Sequence, residues 1–357
     1  MNSDESTIRP DVSGGLHYPF EAIPALGDAI EVAPGVLWMR LPLPASLDHV
    51  NVWALEDGDG WAIVDTGLFM PDAPSRWEAL LAGPLGSRRI TRVFATHHHA
   101  DHAGMAGWLA RRFDCELWMT RAEYLTCRAF VAEQGRDAPE DAIQFYRRAG
   151  WSHETLEKYR SRFGVAAGMV FPLPDSFRRI EDGQTLEIGK RRWRVKVGLG
   201  HSPEHACLYC PELNVLISGD HVLPRISSNV SVHPVEPDAD PLGEWLASLT
   251  RFARTLPVDA LVLPSHNEPF HGLHERIERL DAGVRRGLGR LRDRLWEPRR
   301  AVDIFGTLFA GTVQEERFSR YTLATGEALA YLNYLQASGE STSHADADGV
   351  RWYRMRA

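Results

Sequence analysis

Histidine and aspartate side chains are concentrated in one short stretch of the sequence, THHHADHAG, which spans residues 96–104. The candidate metal ligands in this stretch are His97, His99, Asp101 and His102. Imidazole nitrogens and carboxylate oxygens are common ligands of divalent first-row metal ions. One ion needs three or four ligands, so four candidates in a single stretch already indicate two ions. A solvated histidine-rich loop is the alternative interpretation.

Three further ligand-type residues follow apolar runs elsewhere in the chain. His201 follows VKVGLG, Asp220 follows VLISG and His266 follows LVLPS. An apolar strand, a small residue and then a ligand-type side chain is the pattern by which a sheet edge collects a site from distant loops. These distant partners favour a metal site over a solvated loop.

The motifs H-x-H-x-D-H, GHSPEH and SGD, followed by a last strand-end histidine, stand in that order in the chain. Together with IVDTG at residues 63–67, they resemble the motifs of the metallo-β-lactamase superfamily. The resemblance covers roughly residues 32–272 and is specific, because five motifs occur in order. It implies a protein of the α/β (α+β) class, a four-layer αββα sandwich with two metal ions at one edge.

The resemblance also distributes the ligands between the two ions: His97, His99 and His201 would hold the first, Asp101, His102 and His266 the second, and Asp220 would bridge them. It implies a metal-dependent hydrolase, in which two ions about 3.5–4 Å apart hold a hydroxide and polarise a carbonyl or phosphoryl group. Asp101 would also orient the hydroxide, so Asp101 and Asp220 are the predicted catalytic residues. Zinc is the expected metal, and iron or manganese suits the same ligands.

Other polar residues near these motifs are given supporting roles. Asp65 ends an apolar run, and the resemblance implies that it supports a ligand histidine, although it could be only a turn former. His98 is predicted to point away from the metal ions, because its neighbours on both sides point inward. His205 and His221 adjoin ligands, and we expect hydrogen-bonding or surface roles for them.

Strand and helix signals divide the chain into three parts. Residues 1–25 predict an N-terminal tail, 26–274 a catalytic domain and 275–357 a C-terminal helical, winged-helix-like domain. Helix-like segments at about 121–171 predict an insertion in the catalytic domain that caps the metal ions. In the last part, three helix-like segments precede a polar loop, ESTSHADADG, and one final strand, VRWYRMR. This part could instead mediate a homodimer.

Composition restricts the class of protein. The formal net charge of −8 argues against a general affinity for nucleic acid or anionic membranes. Four cysteines are too few for a disulfide scaffold, and the C-x-x-C pair Cys207 and Cys210 is expected to face opposite sides of a strand. The N-terminus lacks the apolar core of a signal peptide, and no apolar run approaches the ~18 residues of a membrane span. A cytoplasmic protein with no membrane partner is predicted.

Aromatic residues of the insertion predict where a substrate would bind. Tyr124, Phe145 and Tyr146 are the candidate contacts for an acyl group, although such residues also pack helices together. The predicted substrate is a small molecule with a carbonyl ester-type bond, namely a thioester, ester or lactone. β-Lactam hydrolysis uses the same chemistry and stays open.

A second hypothesis is an endoribonuclease or phosphodiesterase. Residues 276–300 carry nine arginines, which could hold the phosphates of RNA or of a nucleotide-bearing acyl carrier. A solvated helix face with i,i+4 ion pairs is the simpler interpretation of these arginines. A non-catalytic binding module and a mononuclear iron dioxygenase are disfavoured, because all seven ligands are present.

Overall fold

Two β-sheets pack face to face in residues 15–44 and 47–356, which the computed structural model describes. The first sheet contains, in spatial order, β1 (Ile30–Ala33), β2 (Val36–Pro42), β3 (His49–Asp57), β4 (Gly60–Val64), β5 (Ile90–Phe94), β6 (Glu116–Met119) and β7 (Arg178–Arg179). The second contains β8 (Thr185–Ile188), β9 (Arg191–Gly198), β10 (His205–Cys210), β11 (Val215–Gly219) and β12 (Leu261–Pro264).

Helices cover the outer faces of both sheets. They are α1 (Ala73–Ala82), α2 (Ala100–Ala103), α3 (Ala106–Phe113), α4 (Arg121–Val131), α5 (Glu140–Ala149), α6 (His153–Arg162), α7 (Pro241–Thr255), α8 (Leu273–Arg294), α9 (Phe305–Leu308) and α10 (Phe318–Ala337). Short 3-10 turns occupy Ala166–Met169 and Ala301–Ile304. No helix in the described part of the chain is long and apolar enough to cross a membrane.

Three hydrophobic clusters hold the layers together. One lies between the sheets and joins Trp38 and Trp53 of the first sheet to Trp193 of the second. Another packs Trp77 of α1 and residues of α3 on the outer face of the first sheet. The third packs α5, α7, α8 and α10 on the outer face of the second sheet. The order helix, sheet, sheet, helix is the predicted αββα sandwich, and each fully buried large side chain contributes about 1.5–3 kcal/mol.

The carboxyl ends of several strands meet at one edge of the sandwich. β4 and β5 are parallel, as are β11 and β12. β10 is antiparallel to both β9 and β11, so β9 runs in the same direction as β11 and β12. The loops that follow β4, β5, β9, β11 and β12 carry Asp65, residues 97–102, His201, Asp220 and His266, respectively.

Three helices and a 3-10 turn occupy the range of the predicted insertion. Tyr124, Phe145 and Tyr146, the candidate acyl contacts, lie in two different hydrophobic clusters, and their contact with an acyl group stays a prediction. Tyr124 is buried in the cluster on the first sheet and stacks on Phe177, with the ring centroids 4.0 Å apart. Phe145 and Tyr146 are buried in the cluster on the second sheet, where Tyr146 stacks on Trp151. Burial of apolar rings at helix–sheet contacts accounts for both placements.

The C-terminal part differs from its prediction in one element. The range predicted as a polar loop contains β13 (Ser341–Ala345), which pairs antiparallel with β14 (Arg351–Met355). The apolar face predicted for the helix at 276–300 lies in α8, where Ile277, Leu288 and Leu291 are buried. Their cluster also includes α5 and α7, so one core continues across residue 275. The winged-helix character, the domain limits and a dimer stay predictions.

The cysteine pair and the N-terminal tail complete the fold. Cys207 packs in the outer cluster of the second sheet and Cys210 in the cluster between the sheets, so the two thiols face opposite sides. Burial raises the pKa of both thiols, which disfavours the reactive thiolate. Of the predicted tail, residues 1–14 lie outside the described residues, and His17 pairs with His271 through the backbone.

Candidate metal centre

The backbone after β5 explains how neighbouring residues converge on one site. The chain stays extended at His99, with φ −60° and ψ 146°, and becomes helical at Ala100. Residues 96–99 form a bend between β5 and α2, and this bend brings Nε2 of His97 within 2.9 Å of Nδ1 of His99. Asp101 and His102 follow in the first turn of α2.

Ligand-type atoms of the first group lie within a few ångströms of one another. The Nε2 atom of His97 lies 2.9 Å from Nδ1 of His99 and 3.2 Å from Nε2 of His201. The Nε2 atom of His201 lies 3.5 Å from Oδ2 of Asp220. Ring nitrogens of three histidines thus face a common point, together with one carboxylate oxygen.

The second group is built from Asp101, His102 and His266. Oδ2 of Asp101 lies 3.4 Å from Nε2 of His102 and 3.5 Å from Nε2 of His266. Asp220 adjoins this group as well, with Oδ2 3.4 Å from His102 and Oδ1 3.3 Å from His266. The structure therefore brings all seven predicted ligands together, and Asp220 contacts both groups.

Several buried polar atoms of the two ligand groups face one another without forming a hydrogen bond. Within the described residues, Nε2 of His102, Nε2 of His266 and Oδ1 of Asp220 are buried and make no hydrogen bond. Buried polar atoms are almost always paired, so each such exception calls for a ligand or an ion. Four or five imidazole and carboxylate ligands fit a divalent metal ion, and the residues present fit the group that the motifs imply.

The comparison with family models decides the family. The model described as the Metallo-beta-lactamase superfamily matches residues 45–266, more than half of the chain. The chain belongs to the metallo-β-lactamase superfamily. A second model, described as the Metallo-beta-lactamase-like C-terminal domain, matches residues 288–356.

Known proteins agree with this membership. A Beta-lactamase domain protein from Burkholderia ambifaria superposes with a TM-score of 0.87 at 40% identity, over 96% of this chain and 98% of that one. The Probable metallo-hydrolase YqjP of Bacillus subtilis (strain 168) is 26% identical over 331 residues, which cover 90% of this chain and 98% of that protein. Acyl-coenzyme A thioesterase MBLAC2 of Gallus gallus is 27% identical over 191 residues, 53% of this chain and 63% of that protein. The predicted enzyme class is confirmed: the chain is a metal-dependent hydrolase of this superfamily.

The histidines of this metallo-β-lactamase fold are oriented by oxygen atoms behind them. Each of four Nδ1 atoms faces one oxygen: His97 faces Oγ1 of Thr96 (3.0 Å), His102 faces Oδ2 of Asp65 (2.9 Å), His201 faces the carbonyl of Asn229 (2.7 Å) and His266 faces the carbonyl of His49 (2.9 Å). Donation from Nδ1 places the lone pair on Nε2, which then faces the site. This arrangement fixes the tautomer of a metal-binding imidazole.

Asp65 holds the position that the motif resemblance implied. Its Oδ1 accepts a hydrogen bond of 2.8 Å from the backbone N–H of Thr96, and its Oδ2 accepts one of 2.9 Å from the Thr96 hydroxyl. The residue adopts φ 62°, which aims its side chain back at the loop after β5. Asp65 thus connects the ring of His102 to the backbone that carries His97.

Electrostatics differ between the two groups. Burial, reinforced by the neighbouring histidines, lowers the pKa of His97 and His99 well below its ordinary value. Burial also lowers the pKa of His102, but the carboxylates of Asp101, Asp220 and Asp65 outweigh it and raise that pKa well above the ordinary value. The neutral imidazoles of His97 and His99 favour a bound cation, whereas a cation held by His102 must displace its proton.

Sequence analysis missed Glu123, a residue of α4 that is fully buried. Its Oε2 accepts the backbone N–H of His98 (2.9 Å) and lies 2.7 Å from the His98 Nδ1. Its Oε1 accepts the hydroxyl of Ser202 (2.6 Å) and the N–H of Glu204 (2.8 Å). The carboxylate joins the insertion to the two loops that carry His97 and His201. A single glutamate in a helix gives no sequence signal for this role.

A second missed residue is Asn51 of β3, which is also fully buried. Its Nδ2 donates to the carbonyls of Pro264 and Asn267, both at 2.7 Å. Its Oδ1 accepts from Nε1 of Trp38 at 2.8 Å. The amide therefore ties both sides of the loop that carries His266 to the first sheet.

The remaining histidines near the ligands are buried rather than on the surface. Nε2 of His205 accepts the backbone N–H of Asp220 at 3.0 Å, which agrees with the predicted hydrogen-bonding role. Gly219 has φ +54°, and a Cβ there would lie 2.3 Å from the His205 ring, so only glycine fits. His221 packs against Phe252, with ring centroids 4.7 Å apart, and its ring nitrogens have no partner in the described residues.

Replacing His98 by alanine is expected to leave the metal content unchanged, because the His98 ring contacts Glu123 and lies outside both ligand groups. His99→Ala removes a predicted ligand and is expected to lose at least one ion per chain. Elemental analysis of the two purified variants measures the difference. Equal losses of metal in both variants would show that the register of residues 97–99 is misassigned.

Proposed function

We propose that this metallo-hydrolase binds two divalent metal ions and hydrolyses a small-molecule acyl thioester. The observation that carries the proposal is the position of Asp220. Its two carboxylate oxygens lie 3.3–3.5 Å from ring nitrogens of His102, His201 and His266, which belong to different ligand groups. A carboxylate shared by two groups is what a bridged pair of ions requires.

The choice of a thioester is supported by a relative and by the chemistry of the site. The similar Gallus gallus protein is named an acyl-coenzyme A thioesterase. Bound divalent ions supply an ionised water near neutral pH and neutralise the charge that develops on a carbonyl oxygen. In thioester hydrolysis the water oxygen joins the acyl carbon, the carbon–sulfur bond breaks, and the sulfur leaves as a thiol with a proton from the water. The products are a carboxylic acid and a thiol.

Asp101 is the ligand residue best placed to act on that water. Its side chain is 23% exposed, whereas those of Asp220 and His201 are 10% and 4% exposed. One oxygen of Asp101 faces His102 and His266, which leaves the other oxygen to accept a hydrogen bond from water. The open side of the centre is therefore at Asp101, and we infer that the acyl carbon approaches from there.

A substrate screen with metal analysis tests the proposal. The purified chain, loaded separately with zinc, manganese or iron, is assayed on acyl-coenzyme A, acyl N-acetylcysteamine, a lactone, a β-lactam, a phosphodiester and RNA. We expect metal-dependent release of thiol and two ions per chain in the active form. Turnover of the phosphodiester or RNA without any release of thiol would overturn the proposal in favour of the nuclease hypothesis. Preferred turnover of the lactone or β-lactam would identify that compound class, rather than thioesters, as the substrate.

A further inference from the structure

A cavity of about 1110 Å³ lies beside α8, away from the metal ligands. Its walls are one face of α8, the segment 225–230 that follows β11, residues 306–310 and two side chains of α10. Small-molecule sites commonly measure about 300–1,000 Å³, so the cavity can receive a ligand of nucleotide size. None of the seven candidate ligands lines it, which makes it a site separate from the metal centre.

The lining is basic although the chain as a whole is acidic. Five arginines line the cavity against three glutamates: Arg225, Arg276, Arg279, Arg286 and Arg290 against Glu275, Glu278 and Glu327. Burial raises the pKa of Glu327 to about 8, so this carboxyl keeps its proton at neutral pH and cancels no positive charge. A concave basic surface attracts anions and strengthens their binding.

Within the part of the chain that the structure describes, two of these arginines have no carboxylate partner. Arg286 and Arg290 lie one turn apart on α8, and no carboxylate of the described residues forms an ion pair with either. Arg290 donates from Nε to the carbonyl of Thr307 at 2.8 Å, which holds its guanidinium at the cavity wall. By contrast, the adjacent Arg285 is paired with Asp281 and does not line the cavity. Residues four apart on a helix are neighbours, so the two free charges suit two anionic groups or one diphosphate.

The cavity and the metal centre share a thin wall. The hydroxyl of Ser228, which lines the cavity, donates to the carbonyl of Asp220. Next to it, Asn229 accepts from Nδ1 of His201 through its carbonyl and donates from Nδ2 to Glu327 at 3.1 Å. The cavity therefore adjoins the loops of His201 and Asp220, and the arm of a ligand anchored in it would have to pass around the segment 228–230 to reach the metal centre.

We propose that this cavity binds the phosphate-bearing end of a small-molecule acyl carrier, a nucleotide whose flexible arm ends in the thioester. The inference deepens the proposed function by naming the substrate class, and it rests on that function only for the thioester. A small molecule is favoured over RNA, because Glu278 at the same concave wall would repel a continuous polyanion. The overall charge of −8 points the same way.

The test compares the double variant Arg286→Gln/Arg290→Gln with the control Arg285→Gln. Glutamine keeps the helix propensity close to that of arginine, so α8 is expected to fold in all proteins. Calorimetry at ~50 mM salt measures the binding of coenzyme A and of inorganic pyrophosphate. We expect the double variant to bind coenzyme A at least about tenfold more weakly, since it loses the charge-assisted hydrogen bonds of both guanidinium groups to the phosphates. The control is expected to bind like the unaltered chain.

Kinetics separate a binding role from a structural one. For acyl-coenzyme A, the double variant is expected to raise KM at least about tenfold and to leave kcat unchanged. The same acyl group on N-acetylcysteamine has no phosphate and is expected to be hydrolysed equally by all three proteins. Equal losses on both substrates, or unchanged binding of coenzyme A and pyrophosphate, would overturn the inference.

Other outcomes also decide between explanations. The double variant could instead lose only the turnover of an acyl group on a carrier protein, or only the binding of a 20-nucleotide RNA that weakens steeply between ~50 and ~200 mM salt. In either case that macromolecule, and not a small-molecule carrier, would be the ligand of the cavity. If the unaltered chain hydrolyses no thioester but binds coenzyme A through Arg286 and Arg290, the cavity assignment stands and the proposed function fails. If thioesters are hydrolysed but coenzyme A does not bind in the cavity, the proposed function stands and the cavity assignment fails.

Discussion

Replacing Asp220 by asparagine is expected to abolish most of the activity and to reduce the bound metal from two ions per chain to one or none. The carboxylate lies between the two ligand groups, and asparagine keeps its size but removes the negative charge and one acceptor oxygen. Changes to residues that only orient a ligand already cost about 10–100-fold in metal affinity or activity. Removal of a shared ligand should reduce activity further, so we expect turnover to fall by more than about 100-fold.

Metal content by elemental analysis and turnover of the best substrate from the screen measure this effect. Asp175→Asn is the matched control, because the side chain of Asp175 is 99% exposed and lies outside both ligand groups. Far-ultraviolet circular dichroism of the metal-free proteins checks that the variant folds. A folded Asp220→Asn protein with two ions and normal turnover would refute the bridging role of Asp220. The main support of the proposed function would then be lost.

The candidate ligands could be predicted from the sequence because each lies in a recognisable local sequence pattern. H-x-H-x-D-H places four of them within six residues, and the other three directly follow apolar strands. Strands that run in one direction bring their following loops to one edge, so the folded site needs little more than strand order to form. The supporting role of Asp65, which follows β4, was implied by the family resemblance rather than by its position alone.

Apart from Asp65, the residues that orient the candidate ligands could not be predicted, because their roles arise from contacts between distant segments. Asn229 and His49 act through backbone carbonyls, which every residue type possesses. Asn51 stands between Val50 and Val52 in β3, and the two carbonyls to which its Nδ2 donates lie more than 200 positions away. Only the folded chain shows which buried donors and acceptors meet.

One prediction was wrong, that of the polar loop, and one stays untested, that of the aromatic acyl contacts, for different physical reasons. The aromatic residues Phe145 and Tyr146 lie on an amphipathic helix, and the sequence pattern does not distinguish a core-facing ring from a substrate-facing one. Strand β13 has the sequence STSHA, which is polar and shows no apolar alternation. Its pairing with β14 depends on backbone hydrogen bonds that leave little trace in side-chain pattern.

Replacing Glu123 by alanine is expected to destabilise the metal-free fold and to weaken metal binding together. The buried carboxylate pairs with four groups of His98, Ser202 and Glu204. Without it, buried donors on two ligand-bearing loops lose their partner, and each unsatisfied donor costs about 1–3 kcal/mol. We therefore expect the free energy of unfolding to fall by about 3 kcal/mol or more, which is large for a single substitution.

Urea denaturation of the metal-free protein measures the loss of stability, and competition with a chelator measures metal affinity, which we expect to fall about 10–100-fold. Glu154→Ala is the control, since Glu154 occupies the first turn of α6 as Glu123 occupies that of α4, but is exposed. Both changes remove a favourable charge at a helix N-terminus, worth about 0.3–1 kcal/mol. The additional loss of stability in Glu123→Ala therefore measures the contribution of the buried contacts. If both variants lose the same stability and keep the same metal affinity, the insertion does not support the centre through Glu123, and the loops at His98 and Ser202 are held by other contacts.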